Sequence, residues 1–303
     1  MFDVVALGEA LIDFSMLGAD ADGYPLMQAH PGGAPANFLA AVNRCGGRTA
    51  MLAKVGDDVF GRLLVKTLEG VGIDTSGVLV SKEFFTTLAF VTLDDNGDRD
   101  FSFARKPGAD TQISFPEMNI SLIDSARVFH FGTLSLTDEP ARSATVKAVS
   151  YAKAAGKLVT CDPNLRKPLW RDLDEAKRQM LWAVSAADVV KISDEEGEFL
   201  FGCGPEEAAR ILVKDYDVKL AFVTCGSKGA TFENRNAAGF VSAPEVVPVD
   251  TTGAGDIFGG TAVYYLLKTG KAPEDLNLQE LSGIAGAACK AASLSTERPG
   301  GLW

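Results

Sequence analysis

Short apolar runs alternate with amphipathic stretches along most of the chain. The runs 2-FDVVAL-7, 49-TAMLAKV-55, 127-RVFHF-131, 158-LVTCD-162, 188-DVVKI-192 and 219-KLAFVTC-225 are close to continuously apolar, as strands covered on both faces are. Apolar positions recur at helical spacing over 35–45, 58–70, 138–155, 172–186 and 205–215, and two further helices are expected at 253–269 and 277–291. The alternation predicts an α/β fold with a mostly parallel central sheet and helices on both faces. Two excursions break the rhythm. An extended alternating segment, 10-ALIDFSML-17, follows the first strand, and 85–105 has the pattern of a β-hairpin turning at 95-DNGD-98. The reading is one domain over 1–303, with a small β lid built from excursions at about 10–31 and 84–106.

Composition narrows the class without naming a reaction. The 303 residues are 47% hydrophobic and 23% charged, ample for a core. A net charge of −11 argues against a nucleic-acid or anionic-membrane surface. Cys45, Cys161, Cys203, Cys225 and Cys289 form no CxxC pair, and His30 and His130 cannot complete a zinc site with them at any usual spacing. Reduced, mostly buried thiols are expected, in a cytoplasmic protein. No basic leader precedes the first strand and no run reaches membrane-spanning length, so neither export nor membrane insertion is expected.

The chemistry concentrates in 250-DTTGAGD-256, which runs directly into the apolar helical stretch 257-IFGGTAVYYLL-267. Gly253 and Gly255 let the amides of Gly253, Ala254, Gly255 and Asp256 converge at the positive end of a helix dipole, where Thr251 or Thr252 can cap the helix. An aspartate beside such a site repels a resident phosphate. It is useful if it takes a proton from an alcohol while the amides stabilise a phosphoryl group in transfer. No GxxxxGK[ST] P-loop and no protein-kinase motif set is present. The residues point to a kinase of small alcohols with another architecture.

Several segments in order resemble the PfkB, or ribokinase-like, family of carbohydrate kinases. The runs 32-GGAPANFLAAVNRCGG-47 and 54-KVGDDVFG-61 are similar to its N-terminal signature, and 250-DTTGAGDIFGG-260 to its C-terminal one. Within the family, GGAPAN, 103-FARKPGAD-110, 129-FHFGTLSL-136, 162-DPNLRKPLW-170 and 191-KISDEE-196 look like fructokinases. The resemblance implies a ribokinase-like fold, ATP and Mg²⁺. It also implies roles for individual residues. Asp256 would be the base and Asp13 would grip sugar hydroxyls. Gly32 and Gly33 would let the sugar approach the backbone, with Asn37 beside it. Arg105, on the return arm of the hairpin, is expected to reach over the site, with Phe101 and Phe103 excluding water.

Asn164 and Arg166 follow a strand end, where ligands sit in open α/β sheets. Arg166 is either a phosphate contact or the partner of Asp162 in a structural pair. Glu196 is similar to the glutamate that organises Mg²⁺ through water in the family, while Ser193, expected among the nucleotide contacts, stands where the family has asparagine. Thr224, Gly226, Ser227 and Gly229 resemble the segment that binds nucleotide phosphate and ribose, and Lys228 either joins them or faces solvent. Adenine is expected in a shallow apolar groove against the last helices. Asp250 and Thr252 resemble a monovalent-cation loop, with K⁺ as its ion and 294-LSTERPGG-301 as its second half.

The expected reaction is ATP-dependent phosphorylation of D-fructose at O6. The alternatives are another small alcohol, such as ribose or 2-keto-3-deoxygluconate, and a non-catalytic sugar sensor. A dinucleotide-dependent dehydrogenase lacks its GxGxxG after the first strand. The apolar content of the hairpin predicts a homodimer formed lid to lid.

Overall fold

The computed structural model describes residues 1–93 and 99–302, with backbone alone at 93 and 99–101. The expected turn at 95–98 and the side chains of Leu93 and Phe101 therefore lie outside the description. The strands are β1 (Phe2–Leu7), β2 (Leu11–Ala19), β3 (Pro25–Gly32), β4 (Thr49–Gly56), β5 (Ile73–Ser81), β6 (Leu88–Leu93), β7 (Arg99–Ala104), β8 (Ala126–Gly132), β9 (Leu158–Asp162), β10 (Val189–Ser193), β11 (Leu220–Thr224), β12 (Gly229–Asn234) and β13 (Ala238–Ser242). The helices are α1 (Ala34–Arg44), α2 (Val59–Gly70), α3 (Ser121–Asp124), α4 (Ala141–Ala154), α5 (Leu173–Ala186), α6 (Asp194–Phe201), α7 (Pro205–Asp215), α8 (Ala254–Thr269) and α9 (Leu278–Ser295).

Nine strands form the main sheet in the order β13-β12-β11-β10-β9-β8-β1-β4-β5. Its pairings are parallel from β5 through to β11, and β12 and β13 add antiparallel at one edge. Period-two alternation divides the core between two layers. Val5 and Leu7 of β1 and Phe129 and Phe131 of β8 face the layer of α4 and α5. Val4, Ala6 and Val128 face that of α1, and Phe222 of β11 packs with Phe258 of α8. His130 belongs to this interior. It stacks on Phe38 at 3.7 Å and shares a 3.0 Å hydrogen bond with Thr160. Burial drives its pKa down to about 3, so it is a neutral core residue.

The chain leaves β1 towards β4 on one side and returns through β8 on the other. The carboxyl ends around β1 are therefore a switch point, where a crevice opens above the sheet. The two excursions meet there in a second sheet, ordered β3-β2-β6-β7, in which β2 runs parallel to β6. Phe14 of β2 stacks on Phe90 of β6 at 5.3 Å and meets Phe60 of α2 edge-on at 5.5 Å, which anchors this lid to the core.

Helices α1 and α8 cross unusually closely. A Cβ added at Gly260 would lie 2.2 Å from the carbonyl oxygen of Phe38, whereas one at Gly259 would meet only the Phe38 ring, at 3.2 Å. Backbone cannot yield as a ring can. Gly260→Ala is therefore expected to cost about 1–3 kcal/mol and to lower Tm by roughly 3–10 °C, with Gly259→Ala clearly milder. Thermal denaturation of the two variants side by side checks this; equal losses would contradict it.

Candidate active site

The N-terminus of α8 points into the crevice. Its N-cap is Gly253, held at φ 76°, a left-handed conformation that suits glycine, and no side chain caps it. Neither threonine takes the capping role expected from the sequence. Thr252 instead donates its hydroxyl and its amide to Asp250 Oδ1, at 2.7 and 2.9 Å. A side-chain cap would occupy the space an incoming anion needs. Leaving the cap to glycine keeps the dipole end accessible.

Two cavities flank this helix start and share Thr251 and Gly255 in their walls. The smaller, about 200 Å³, is lined by Glu9, Asp13, Gly33, Asn37, Phe103, Asn164, Arg166, Lys191, Gly253, Gly255 and Asp256, with Leu11, Val91 and Leu134 as apolar walls. The larger, about 690 Å³, is lined by Thr224, Gly226, Ser227 and Gly229 on one side and by Phe258, Cys289, Ala292, Ser293 and Thr296 of the last two helices on the other. Most of the residues expected for the sugar thus gather in one chamber and most of those expected for the nucleotide in the next.

Asp256 lies at the third position of α8, 8% exposed, where its Oδ2 accepts from Asn37 Nδ2 at 2.8 Å. Asn37 is wedged between Gly253 and Gly301, where any side chain would strike it. Burial pushes Asp256 up to about 7 and the charge of Asp162 adds to the shift, while Asn37, Lys191 and Arg166 pull it back. Asp13 is driven up to about 6, by burial first, with Arg166 opposing. Gly32 does not line the chamber. It makes room for Asp13, whose Oδ2 lies 2.4 Å from where a Cβ would stand. Gly33, at φ 115°, presses on the Glu9 carbonyl in the same way.

Two further readings from the sequence need correction, those of Arg105 and Ser193, and for Arg166 one of the two alternatives drops out. Arg105 does not reach over the chamber. It is buried, ion-paired with Asp110 at 2.7 Å, and donates to Thr137 Oγ1 and the Leu134 carbonyl. Arg166 is not the partner of Asp162; Lys191 is, at 2.9 Å, which leaves Arg166 in the chamber wall. Ser193 lies outside the nucleotide cavity lining and caps α6, accepting from Glu196 N while Glu196 Oε2 accepts from Ser193 N. The other Glu196 oxygen accepts from Leu165 N at 2.7 Å.

Sequence reasoning passed over Glu9 and Lys191. Glu9 is buried, holds the amide of Ala34 at the start of α1, and is pushed up to about 7 by burial. Lys191 is a lysine inside an apolar strand, which is itself a signal of a partnered buried charge. Burial opposes its charge, but the carboxylates of Asp162, Glu196 and Asp256 hold its pKa above the ordinary value. Its Nζ would be 2.7 Å from a Cβ at Gly255, so the cation sits against the helix start. Asp250 Oδ2 accepts from Gly300 N at 2.9 Å, and Thr296 O accepts from the amides of Val249 and Asp250, which joins the two segments of the expected cation loop.

A buried carboxylate at an uncapped helix start, between a small polar chamber and a larger apolar one, defines a small-molecule kinase. The pattern of the pfkB family carbohydrate kinases matches residues 1–302, and the chain belongs to that family. It is 40% identical over 302 residues to fructokinase-2 of Solanum lycopersicum, covering 99% of this chain and 92% of that one. With fructokinase-1 of Zea mays it shares 42% over 276 residues, 90% and 85% of the two chains. Among solved structures, fructokinase from Xylella fastidiosa with bound ATP superimposes with a TM-score of 0.91 at 29% identity, covering 100% and 94%. A double mutant of fructokinase from Vibrio cholerae O395, with fructose, ADP and potassium ion bound, gives 0.87 at 33%, covering 99% and 94%.

The position of Asp256 links pH to both stability and activity. Because the fold favours its protonated form, Asp256 adds stability below the ordinary carboxylate value of 3.8, and that contribution is lost as pH rises through about 7. Asp256→Asn removes the penalty, so its Tm should exceed that of the wild type by roughly 2–6 °C near pH 8 and by progressively less as the pH is lowered. Activity should run the opposite way, with kcat/KM of the wild type rising about tenfold per pH unit up to about 7 and levelling above. Paired melting curves and pH–rate profiles check both; a variant no more stable than wild type at alkaline pH would contradict the first.

Proposed function

We propose that this protein transfers the γ-phosphoryl group of ATP to a hydroxyl of D-fructose, giving fructose 6-phosphate. The observation that carries the reading is the meeting of the two cavities at Gly255, with Asp256 facing the smaller one. Sugar in that chamber would place hydroxyls against Asp13 and Asn37, two side chains that can hold several at once. Asp256, near neutrality in its pKa, accepts the proton of the attacking hydroxyl as the bond to phosphorus forms. The amides of Gly253, Ala254, Gly255 and Asp256 face the charge that develops on the transferring group, and Lys191 and Arg166 add positive charge beside them. Phe103, Val91 and Leu11 close the chamber to water, which would otherwise compete as acceptor.

ATP fits the larger cavity, with its phosphates towards Gly226, Ser227 and Gly229 and its base against the apolar side chains of α8 and α9. The donor set also fits Mg²⁺ held through water. Asp162 Oδ1 is buried without a protein partner among the described residues, and Glu196 stands close enough for its charge to act on the same lysine. When bound, the ion would neutralise phosphate charge. Asp250 and Thr252, tied to Gly300, are the residues that would support K⁺. The homologues named fructokinase support fructose over ribose or a keto-deoxy acid.

Fructose should give the highest kcat/KM in a coupled assay across common hexoses, pentoses and keto-deoxy acids. Asp256→Asn should lose roughly 10²–10⁴-fold in turnover while retaining sugar and ATP binding. A better rate with another acceptor would change the substrate and leave the mechanism; near-normal turnover in Asp256→Asn would remove the mechanism.

A second reading concerns assembly. The far part of the lid exposes Met16, Leu17, Tyr24 and Leu26, an apolar surface that lid-to-lid pairing of two copies would bury. Sedimentation should show a dimer that Leu17→Glu dissociates; a strict monomer at micromolar concentration would dispose of it.

A further inference from the structure

The β6–β7 hairpin leaves the core immediately after Thr87 and rejoins it at Arg105. Both residues are buried, and both bond to one carboxylate. Thr87 Oγ1 donates to Asp110 Oδ1, and Arg105 Nε donates to Asp110 Oδ2 at 2.8 Å. Asp110 does not belong to the hairpin. It lies in a 3₁₀ turn over Ala109–Gln112, whose first amide donates to the Phe85 carbonyl at 2.8 Å. The guanidinium extends the link to the far side of the crevice, donating to Thr137 Oγ1 at 2.7 Å and to the Leu134 carbonyl at 2.9 Å. The Thr87 carbonyl meanwhile accepts from Ile12 N at 3.1 Å, one residue before Asp13.

The cluster is tightly packed where Gly108 passes it. A Cβ at Gly108 would stand 1.9 Å from Thr87 Oγ1 and 2.8 Å from Asp110 Oδ1. Apolar packing would hold a hairpin with a smaller desolvation cost than a buried ion pair. What the pair adds is direction, because a guanidinium fork and a carboxylate meet in few orientations. That direction is imposed on residues that face the small chamber, with Val91 and Phe103 on the two hairpin strands and Leu134 opposite.

We propose that Asp110 is a positioning residue for sugar phosphorylation, its carboxylate tying both legs of the hairpin to the core and so fixing where Val91 and Phe103 stand over the sugar. The proposal rests on the reading of the small chamber as the sugar site. Asp110 touches no substrate in it. It acts through the hairpin, so its loss falls on sugar binding and water exclusion and spares the nucleotide cavity.

Asp110→Asn leaves buried Arg105 with only the more distant Asp138 carboxylate, 4.0 Å away, as ion-pair partner and can fail to fold, so the decisive variant is Thr87→Val, which keeps the shape and deletes one leg's bond. The KM for fructose should rise by up to about tenfold, the order that one lost hydrogen bond carries into sugar binding, with kcat and the KM for ATP close to wild type. ATP hydrolysis in the absence of sugar should increase, and Thr87→Ser should restore both properties. In the sugar-free protein, amide exchange should quicken over 85–92 and stay slow in β1 and β8. An unchanged fructose KM would overturn the proposal. So would fructose and ATP KM values rising together with faster exchange in the central sheet, which would mark an ordinary packing defect. If the wild type prefers another sugar, the substrate reading fails, the KM comparison is made with that sugar, and the exchange result still decides the role of Asp110.

Discussion

Three buried carboxylates, Asp162, Glu196 and Asp256, act on the single ammonium of Lys191, and the properties of the site follow from that imbalance of charge. Removing one partner of such a buried pair costs about 3–5 kcal/mol, so Lys191 and Asp162 define each other's position. With the ammonium held by Asp162, Asp256 feels it only in part, and burial pushes its carboxyl up to about 7. That is the range in which a carboxylate is a useful base for an alcohol. A phosphate bound beside the three carboxylates would bring further negative charge to the same place, which a divalent cation held through water would offset.

The fold was legible wherever a strand is buried on both faces. Strands β1, β4, β8, β9, β10 and β11 announce themselves as apolar runs, and the seven long helices beside them show clear periodicity. Strands β5, β12 and β13 were not read. β5 and β13 are the outermost strands of the sheet, and half-exposed positions there carry mixed residue types, as in 73-IDTSGVLVS-81 and 238-AGFVS-242. Helix α6 was missed although its capping box, Ser193 with Glu196, is written plainly in 193-SDEE-196. The same four residues resemble a metal motif, and the structure shows that Ser193 is a cap.

The site divides in the same way. The glycine turn before α8 could be read because its chemistry is local, with backbone, dipole and carboxylate all within seven residues. Lys191 could not be assigned, because its role depends on Asp162, 29 residues earlier, and Gly255, far later in the chain. Only the adjacency of β9 and β10 and the docking of α8 above them bring the three together.

Arg105 is the instructive failure. An arginine on a lid strand is most economically read as a cation that closes over a phosphate, yet its counter-charge lies five residues on, in 105-RKPGAD-110, and is buried with it. Once both are enclosed, the pair can no longer respond to a ligand. Arginine suits such a place because its planar fork satisfies Asp110, Thr137 and the Leu134 carbonyl at once, which an ammonium could not do with the same geometry. The positive charge the chamber needs is then supplied from the core side, by Lys191 on a central strand and Arg166 just beyond its neighbour. Rigid elements hold the charges of the small chamber, and the hairpin contributes Val91 and Phe103 to its apolar walls.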